Sequence, residues 1–407
     1  MSATPDAAPP APIAFALVGS LMPDRSEFRG PAFSPAGQMF QRDLLAALAV
    51  AGLPPDVVLS FRGMPSFPRG RVPWSAGATV EVAGFRVRLL PYVNLQPLKP
   101  LTAGLALVAA LLAWRWRTRG ARRRLIHCMN LHMPPGPFAL AAARLTGARL
   151  TASLMDVFQP GVSVPDRWRW RFDFLLQRLV IPRLDGAMVV SRAIAEDLAG
   201  DRPVCLIEGG VGRGSVEPLP RRPRPEGAPF TLAFAGSLDA VNCIDFLLDT
   251  MDHLPAGFRL LVAGDGILAG KVRERAARDP RVDYRGLLDF SGVRALYAEA
   301  DALLCIRRTG GVREYYFPSK LMEYLASGVP VVATALGHVA EEYGDGLVLL
   351  REETPPALAA LLGELAATPA AEREALGRRG RDLVLRGKTW EAQGRKLAAF
   401  LRRVAGS

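Results

Sequence analysis

At 407 residues, half of them hydrophobic, the chain can build two or three domains with real cores, which excludes a disordered or fibrous protein. A formal net charge of +12 calls for an anionic partner: nucleic acid, a membrane surface or a phosphorylated substrate. Cys128, Cys205, Cys243 and Cys305 stand singly with no CxxC spacing, which argues against a disulfide framework or a metal centre and for a reducing, cytoplasmic compartment.

In chain order, residues 1–12 are Ala/Pro-rich and lack the basic start and apolar centre of a signal peptide, so they read as a flexible tail. Ile13-Ala14-Phe15-Ala16-Leu17-Val18-Gly19 has the pattern of a buried strand. A proline-rich loop follows, and a helix over residues 38–51 is expected to open at Gly37, its N-terminus turned to a ligand edge. Residues 56–61 form a further strand, and 79–83 and 85–90 a pair joined across Gly84.

Residues 101–116 are apolar except for Thr102 and Arg115, and run into Arg117, Arg119, Arg122, Arg123 and Arg124. The apolar part is shorter than the ~20 residues a spanning helix needs. Two readings remain: a core helix with a basic C-terminal end, or a helix whose Trp114/Trp116 surface meets a bilayer interface while the arginines meet anionic headgroups. The expectation is a helix of the fold with one face in peripheral contact with an anionic membrane through residues 101–124.

Leu125-Ile126-His127-Cys128-Met129-Asn130-Leu131-His132 is a strand leading into a polar loop, and a histidine at a strand's carboxyl end can hold a pyrophosphate or exchange a proton. The strand at 150–154 leads to Asp156, helix 172–181 precedes strand 186–191, and 204–208 is the last strand of this half. Prolines and arginines without periodicity then mark a linker over 213–229. Strands at 230–235, 258–263, 282–285 and 302–306 alternate with helices, with Gly236-Ser237 and Gly264-Asp265-Gly266 as turns and Arg307 and Arg308 after the last strand.

The most informative stretch is Glu314-Tyr315-Tyr316-Phe317-Pro318-Ser319-Lys320-Leu321-Met322-Glu323-Tyr324 with Gly328 behind it. A helix is expected to open near Pro318 and stop at Gly328, followed by a buried strand beginning Val329-Pro330-Val331. Lys320 and Glu323 lie on one helical face. They form either a solvated surface pair or a binding pair in which the ammonium meets phosphate and the carboxylate accepts from vicinal hydroxyls.

This stretch resembles the donor-binding helix of retaining, nucleotide-sugar-dependent glycosyltransferases of the GT-B fold, family four. The resemblance implies an α/β protein of two Rossmann-like, doubly wound parallel-sheet domains facing across a cleft: an acceptor-side domain over 13–212, the linker, a donor domain over 230–387, and a helix over 388–407 crossing back. Glu323 matches the family's ribose-binding glutamate. Tyr315 stands where the family has another, with Glu314 one residue off register. Donor contacts then fall to Gly236, Ser237, Gly264, Arg307, Arg308, Glu314, Tyr315, Pro318, Ser319, Lys320 and Glu323. Gly37 and Asn130 fall on the acceptor side, and His127, His132 and Asp156 are the catalytic candidates.

The resemblance further implies a hexosyl-type transferase that needs no metal and no cofactor beyond its nucleotide-sugar substrate, because fixed cations and helix ends stabilise the leaving group. The acceptor would be lipid-linked or a polysaccharide, in exopolysaccharide or lipopolysaccharide assembly at the cytoplasmic face of the plasma membrane. A nucleotide-sugar 2-epimerase and a non-catalytic glycosyltransferase-like partner compete with this reading. Nucleic-acid binding has no aromatic-basic motif behind it.

Overall fold

The structure, a computed structural model, describes residues 13–25, 28, 35–132, 135–155, 167–220, 227–310 and 314–406. Two units emerge: Met1–Ile207 with Trp390–Ser407, and Glu208–Thr389. The expected tail at 1–12 and the candidate Asp156 lie outside the described residues.

The first unit runs β1 (Ile13–Gly19), α1 (Pro35–Val50), β2 (Val57–Ser60), β3 (Trp74–Ser75), β4 (Ala78–Val82), β5 (Phe85–Leu89), β6 (Tyr92–Val93), α2 (Leu98–Arg117), β7 (Arg123–Met129), α3 (Pro135–Thr146), β8 (Arg149–Leu154), α4 (Trp168–Val180), β9 (Gly186–Val189), α5 (Arg192–Ile194) and β10 (Val204–Leu206). Its sheet has the order β10-β9-β8-β7-β1-β2-β5-β4, with β3 and β6 as a separate ribbon. Neighbours are parallel except β4, which pairs antiparallel with β5 through a turn at Ala83 and Gly84, both at positive φ. The chain moves one way from β1 to β2 and the other from β7 to β8, so the topological switch lies between β1 and β7.

Right-handed crossovers put helices made in opposite directions on opposite faces of a sheet. Consistent with this, α2 packs on α3 and α3 on α4. The helix α2 is longer than the apolar run suggested: its 20 residues satisfy the length and composition of a membrane span, so the argument from shortness fails. It is nonetheless an element of the domain. Leu107, Leu111 and Trp114 are fully buried, and the Trp114 indole donates to Asp56 Oδ2 at 3.4 Å, the oxygen that also accepts from Phe15 N at 2.7 Å.

The second unit runs α6 (Arg213–Val216), β11 (Phe230–Ala235), α7 (Ile244–Thr250), β12 (Phe258–Ala263), α8 (Ala269–Arg278), β13 (Val282–Tyr284), α9 (Phe290–Glu299), β14 (Ala302–Cys305), α10 (Lys320–Ser327), β15 (Val331–Thr334), α11 (Val339–Tyr343), β16 (Leu347–Leu350), α12 (Pro355–Ala367) and α13 (Ala370–Gly387). Its six strands have the order β13-β12-β11-β14-β15-β16, all parallel. Apolar β-branched strands suit burial on both faces, and separate cores form there, one around Phe234, Leu260 and Leu362, the other around Leu303, Tyr324 and Val331. This is the doubly wound order, with its switch between β11 and β14. The last helix, α14 (Trp390–Gly406), belongs to the first unit, where Leu397, Phe400 and Leu401 join the core of α1 and the sheet.

Candidate active site

In open α/β sheets, ligands bind beyond the carboxyl ends of the strands at the switch point. In the second unit that edge is made by Gly236 after β11, Gly264 after β12 and Arg307 after β14. Gly236 and Gly264 have φ of 150° and 136°, and a Cβ on Gly264 would lie 1.8 Å from the Gly236 carbonyl oxygen. A Cβ on Gly236 would lie 1.6 Å from Lys320 Nζ. Glycine is therefore what lets the lysine ammonium rest on this turn.

Several contacts place Lys320. Gly328 closes α10 in the left-handed conformation at φ 76°, as the sequence leads one to expect. The fully buried Tyr324 hydroxyl accepts from Ala235 N at 3.0 Å and bonds Ala235 O at 3.2 Å, fixing α10 to the end of β11. Lys320 Nζ then donates to Asn242 Oδ1 at 3.2 Å and lies 4.5 Å from the Phe234 ring centroid. Burial, reinforced by the nearby Arg307 charge, pulls its pKa down to about 8. Such an ammonium gains when an anion replaces lost water.

Around it, Ser237 Oγ donates to Asp239 Oδ2 at 2.7 Å, and Asp239 Oδ1 accepts from both Asn242 N and Nδ2 at 2.9 Å. Burial raises the Asp239 carboxyl, but these bonds outweigh it and hold the group below its usual range. Arg307 is anchored by its backbone N to Thr334 Oγ1 at 3.0 Å, while its guanidinium reaches Val241 O at 3.3 Å. Glu323 sits one turn beyond Lys320, in a small cleft with Ser327 and with Phe290, Val293, Arg294 and Tyr297 of α9.

Other donor-side candidates are placed differently. Arg308 stacks on Phe246 at 4.9 Å and donates to Glu353 O at 2.8 Å, whereas the Arg307 charge is the one felt by Lys320. Tyr315 is buried, and Glu314 Oε1 accepts from Gly310 N at 3.0 Å. Its Oε2 would lie 2.9 Å from a Cβ on Gly337. Pro318 is buried at the helix entry, its carbonyl accepting from Leu321 N at 2.8 Å, and Ser319 is exposed and makes no capping bond.

In the first unit, His127 is not at the loop edge. It is fully buried on β7, its ring nitrogens bonded to Thr151 Oγ1 at 2.9 Å and Ser153 Oγ at 2.8 Å across β8, and burial drops its pKa to about 4. It is a histidine of the sheet core, not the loop-edge group that made it a catalytic candidate. Gly37 lies in the first turn of α1, which begins two residues earlier than expected, at Pro35, and its carbonyl accepts from Gln41 Nε2 at 3.3 Å. Asn130, at φ 69°, ends β7 and accepts from Met155 N at 3.1 Å, so it brackets β7 to β8.

His132 is the first-unit candidate at the switch edge. It is half-buried, with Nδ1 3.1 Å from Asp173 Oδ2 and 3.0 Å from Gln177 Nε2, and Gln177 Nε2 also donates to that Asp173 oxygen at 2.8 Å. A carboxylate beside Nδ1 holds the ring in place, and an imidazole so held at a strand's carboxyl edge can exchange a proton. Asp173 and Gln177, four residues apart on α4, give no sequence sign of this partnership.

A second group that the sequence did not reveal is the buried Glu208. Its Oε1 lies 2.5 Å from His338 Nε2, its Oε2 bonds Lys388 Nζ, and Lys388 also meets Glu342 Oε1 at 3.0 Å. Burial pushes the Glu208 carboxyl up, and the His338 and Lys388 contacts more than reverse this, holding it below its ordinary range. His338 stacks on Phe317 at 5.8 Å, which ties the network to the entry of α10.

Two units built on parallel sheets are the GT-B architecture, and comparison with solved structures agrees. A sucrose-phosphate synthase from Thermosynechococcus elongatus superposes with a TM-score of 0.67 at 18% identity, over 97% of this chain and 100% of that one. HepE (Alr3699) from Anabaena in complex with UDP and glucose gives 0.64 at 14% identity, over 95% and 99%. The lipopolysaccharide outer core galactosyltransferase WaaB gives 0.63 at 14% identity, over 96% and 99%. No curated protein matches by sequence. The family model for glycosyl transferases group 1 matches residues 229–368, and that for the glycosyl transferase 4-like domain matches residues 37–204. The chain belongs to the group 1 glycosyltransferases.

Proposed function

We propose that the protein transfers a hexose, with retention at the anomeric carbon, from a nucleotide-sugar donor to a lipid-linked or polysaccharide acceptor in cell-surface glycan assembly on the cytoplasmic side of the membrane. The observation that carries this is the seat of Lys320. A desolvated ammonium rests on the Gly236 turn with Arg307 beside it, at the switch of a doubly wound sheet, where a diphosphate supplies the missing counter-charge. Glu323, one turn on, accepts from the ribose hydroxyls. The solved HepE in complex with UDP-glucose supports a nucleotide-sugar donor for this family.

In this reading Lys320 and Arg307 stabilise charge developing on the leaving diphosphate, and His132, oriented by Asp173, handles the proton of the acceptor side. No metal is required. The test incubates the protein with a panel of UDP-, GDP- and ADP-hexoses and a membrane lipid extract, with and without a chelator, and follows nucleoside diphosphate release and sugar incorporation. Acceptor-dependent release that survives chelation and falls in Lys320→Met supports the proposal. Donor consumed without acceptor and without release gives the epimerase reading instead, and no consumption of any donor gives the non-catalytic one.

A further inference from the structure

Two helices of the first unit carry apolar side chains that are exposed among the described residues. On α2, Leu98, Leu101, Leu105, Leu112 and Trp116 follow one helical stripe and are exposed, Trp116 to 69%, while the opposite stripe of Ala103, Leu107, Leu111 and Trp114 is buried. On α4, Trp168, Phe172, Leu175 and Leu179 form a second such stripe at spacings of four, three and four; Trp168 is 78% exposed, and Asp173, Gln177 and Val180 face inward. Lying between them, α3 exposes Leu145. Gly104 lets α2 approach α3 closely: a Cβ there would lie 2.2 Å from the Phe138 ring. Exposed apolar stripes of this kind on neighbouring helices mark an interaction face.

Charge identifies the occupant. No Asp or Glu occurs between Glu81 and Asp156, while that span carries ten arginines and one lysine. Arg117, Arg119, Arg122 and Arg123 are exposed at the end of α2, and Arg144 beside Leu145 on α3. Arg167 and Arg178 flank the α4 stripe and are exposed too. Arg119 lies 5.6 Å from the Trp116 ring centroid, the indole-and-cation arrangement that suits a headgroup layer.

We propose that α2 and α4 together form the face with which this protein docks on an anionic lipid bilayer. Leucine and phenylalanine side chains enter the acyl boundary, Trp116 and Trp168 sit at headgroup level, and the arginines bind the headgroup anions. The face is thus two helices wide and includes α4, well beyond the 101–124 stretch. It deepens the lipid-linked-acceptor half of the proposed function by keeping the first unit at the surface where such an acceptor resides.

The test is co-sedimentation of the full chain with phosphatidylcholine vesicles, with and without phosphatidylglycerol, in the absence of donor and acceptor. Its failure therefore leaves glycosyl transfer standing. Binding is expected only with phosphatidylglycerol and is expected to weaken as salt rises. Leu105→Ser with Leu112→Ser on α2, and Phe172→Ser with Leu175→Ser on α4, each weaken binding about tenfold or more, and Arg117→Glu with Arg122→Glu does the same. The replaced residues are exposed, so thermal melts stay within a few degrees of wild type.

Three results would overturn the proposal. One is equal binding, or none, with both vesicle types. Another is an α4 variant that binds like wild type. The third is a concentration-dependent dimer that these substitutions dissociate, which would make the face a contact between copies of the chain.

Discussion

Replacing Lys320 by Met separates what this side chain costs the fold from what it does for the ligand. Burial lowers its pKa from 10.5 to about 8, so in the absence of ligand the charged form is less stable in the folded than in the unfolded chain. The sign follows from proton counts. Between pH 8 and 10.5 the unfolded state binds more protons, so stability rises with pH across that window, and the full cost of the charge is present below pH 8. The shift corresponds to an upper limit of roughly 3 kcal/mol. Methionine keeps the volume and removes the charge, at the expense of the Asn242 bond, itself worth about 1 kcal/mol. Ligand-free Lys320→Met is therefore expected to be about 1–2 kcal/mol more stable, raising the melting temperature by several degrees. The same change removes a charge-assisted phosphate contact of about 1.5–3 kcal/mol, weakening nucleoside diphosphate binding about 10- to 100-fold. Calorimetric melts with and without nucleotide read both effects, and wild-type affinity should decline above pH 8. A Met variant that is less stable than wild type, yet stabilised equally by nucleotide, would refute this account of the site.

Gly264→Ala places a Cβ 1.8 Å from the Gly236 carbonyl at a backbone φ of 136°, so neither side can yield; a loss of about 3 kcal/mol or more is expected in urea titrations. His127, with its pKa dropped to about 4 by burial, resists protonation in the fold while the unfolded chain takes up protons near pH 6.5. Stability should therefore fall as pH drops from 6.5 towards 4, with a shallower slope in His127→Gln and no change in the pH profile of turnover, as measured by urea midpoints and initial rates. Glu208→Gln removes the buried carboxylate shared by His338 and Lys388, leaving Lys388 with Glu342 alone, and is expected to cost about 2–3 kcal/mol at neutral pH. Because the Glu208 carboxyl is held below 4.5, the deficit relative to wild type should be full above that pH and shrink as pH falls through the depressed value.

The fold was legible because its signals are local. Pro318 and Gly328 bracket α10, the Ala83-Gly84 turn joins β4 to β5, and each short apolar run of the second unit became a parallel strand. The candidate site was legible only in part. Lys320 and Glu323 could be picked out by helical spacing, but the seat of Lys320 depends on Phe234, Gly236 and Asn242, which lie about eighty residues away in sequence and come together only through the sheet order. Neighbouring residues also diverged. Arg307 stays near the ammonium while Arg308 is drawn to Phe246 and Glu353, a choice set by packing that no spacing encodes. His127 and His132 show the same limit. One side chain falls between Thr151 and Ser153 inside the sheet and the other falls on Asp173 of α4, and nothing in their own stretch distinguishes them.

The central claim is that α10 and the Gly236 turn bind a nucleoside diphosphate. It is tested most directly by titrating the purified protein calorimetrically with UDP, GDP, ADP and CMP, with Glu323→Ala alongside. Selective binding of one nucleotide, raising the melting temperature and weakened at least tenfold in Glu323→Ala, is the predicted result. No heat and no stabilisation with any of them, or equal binding by the variant, would contradict it.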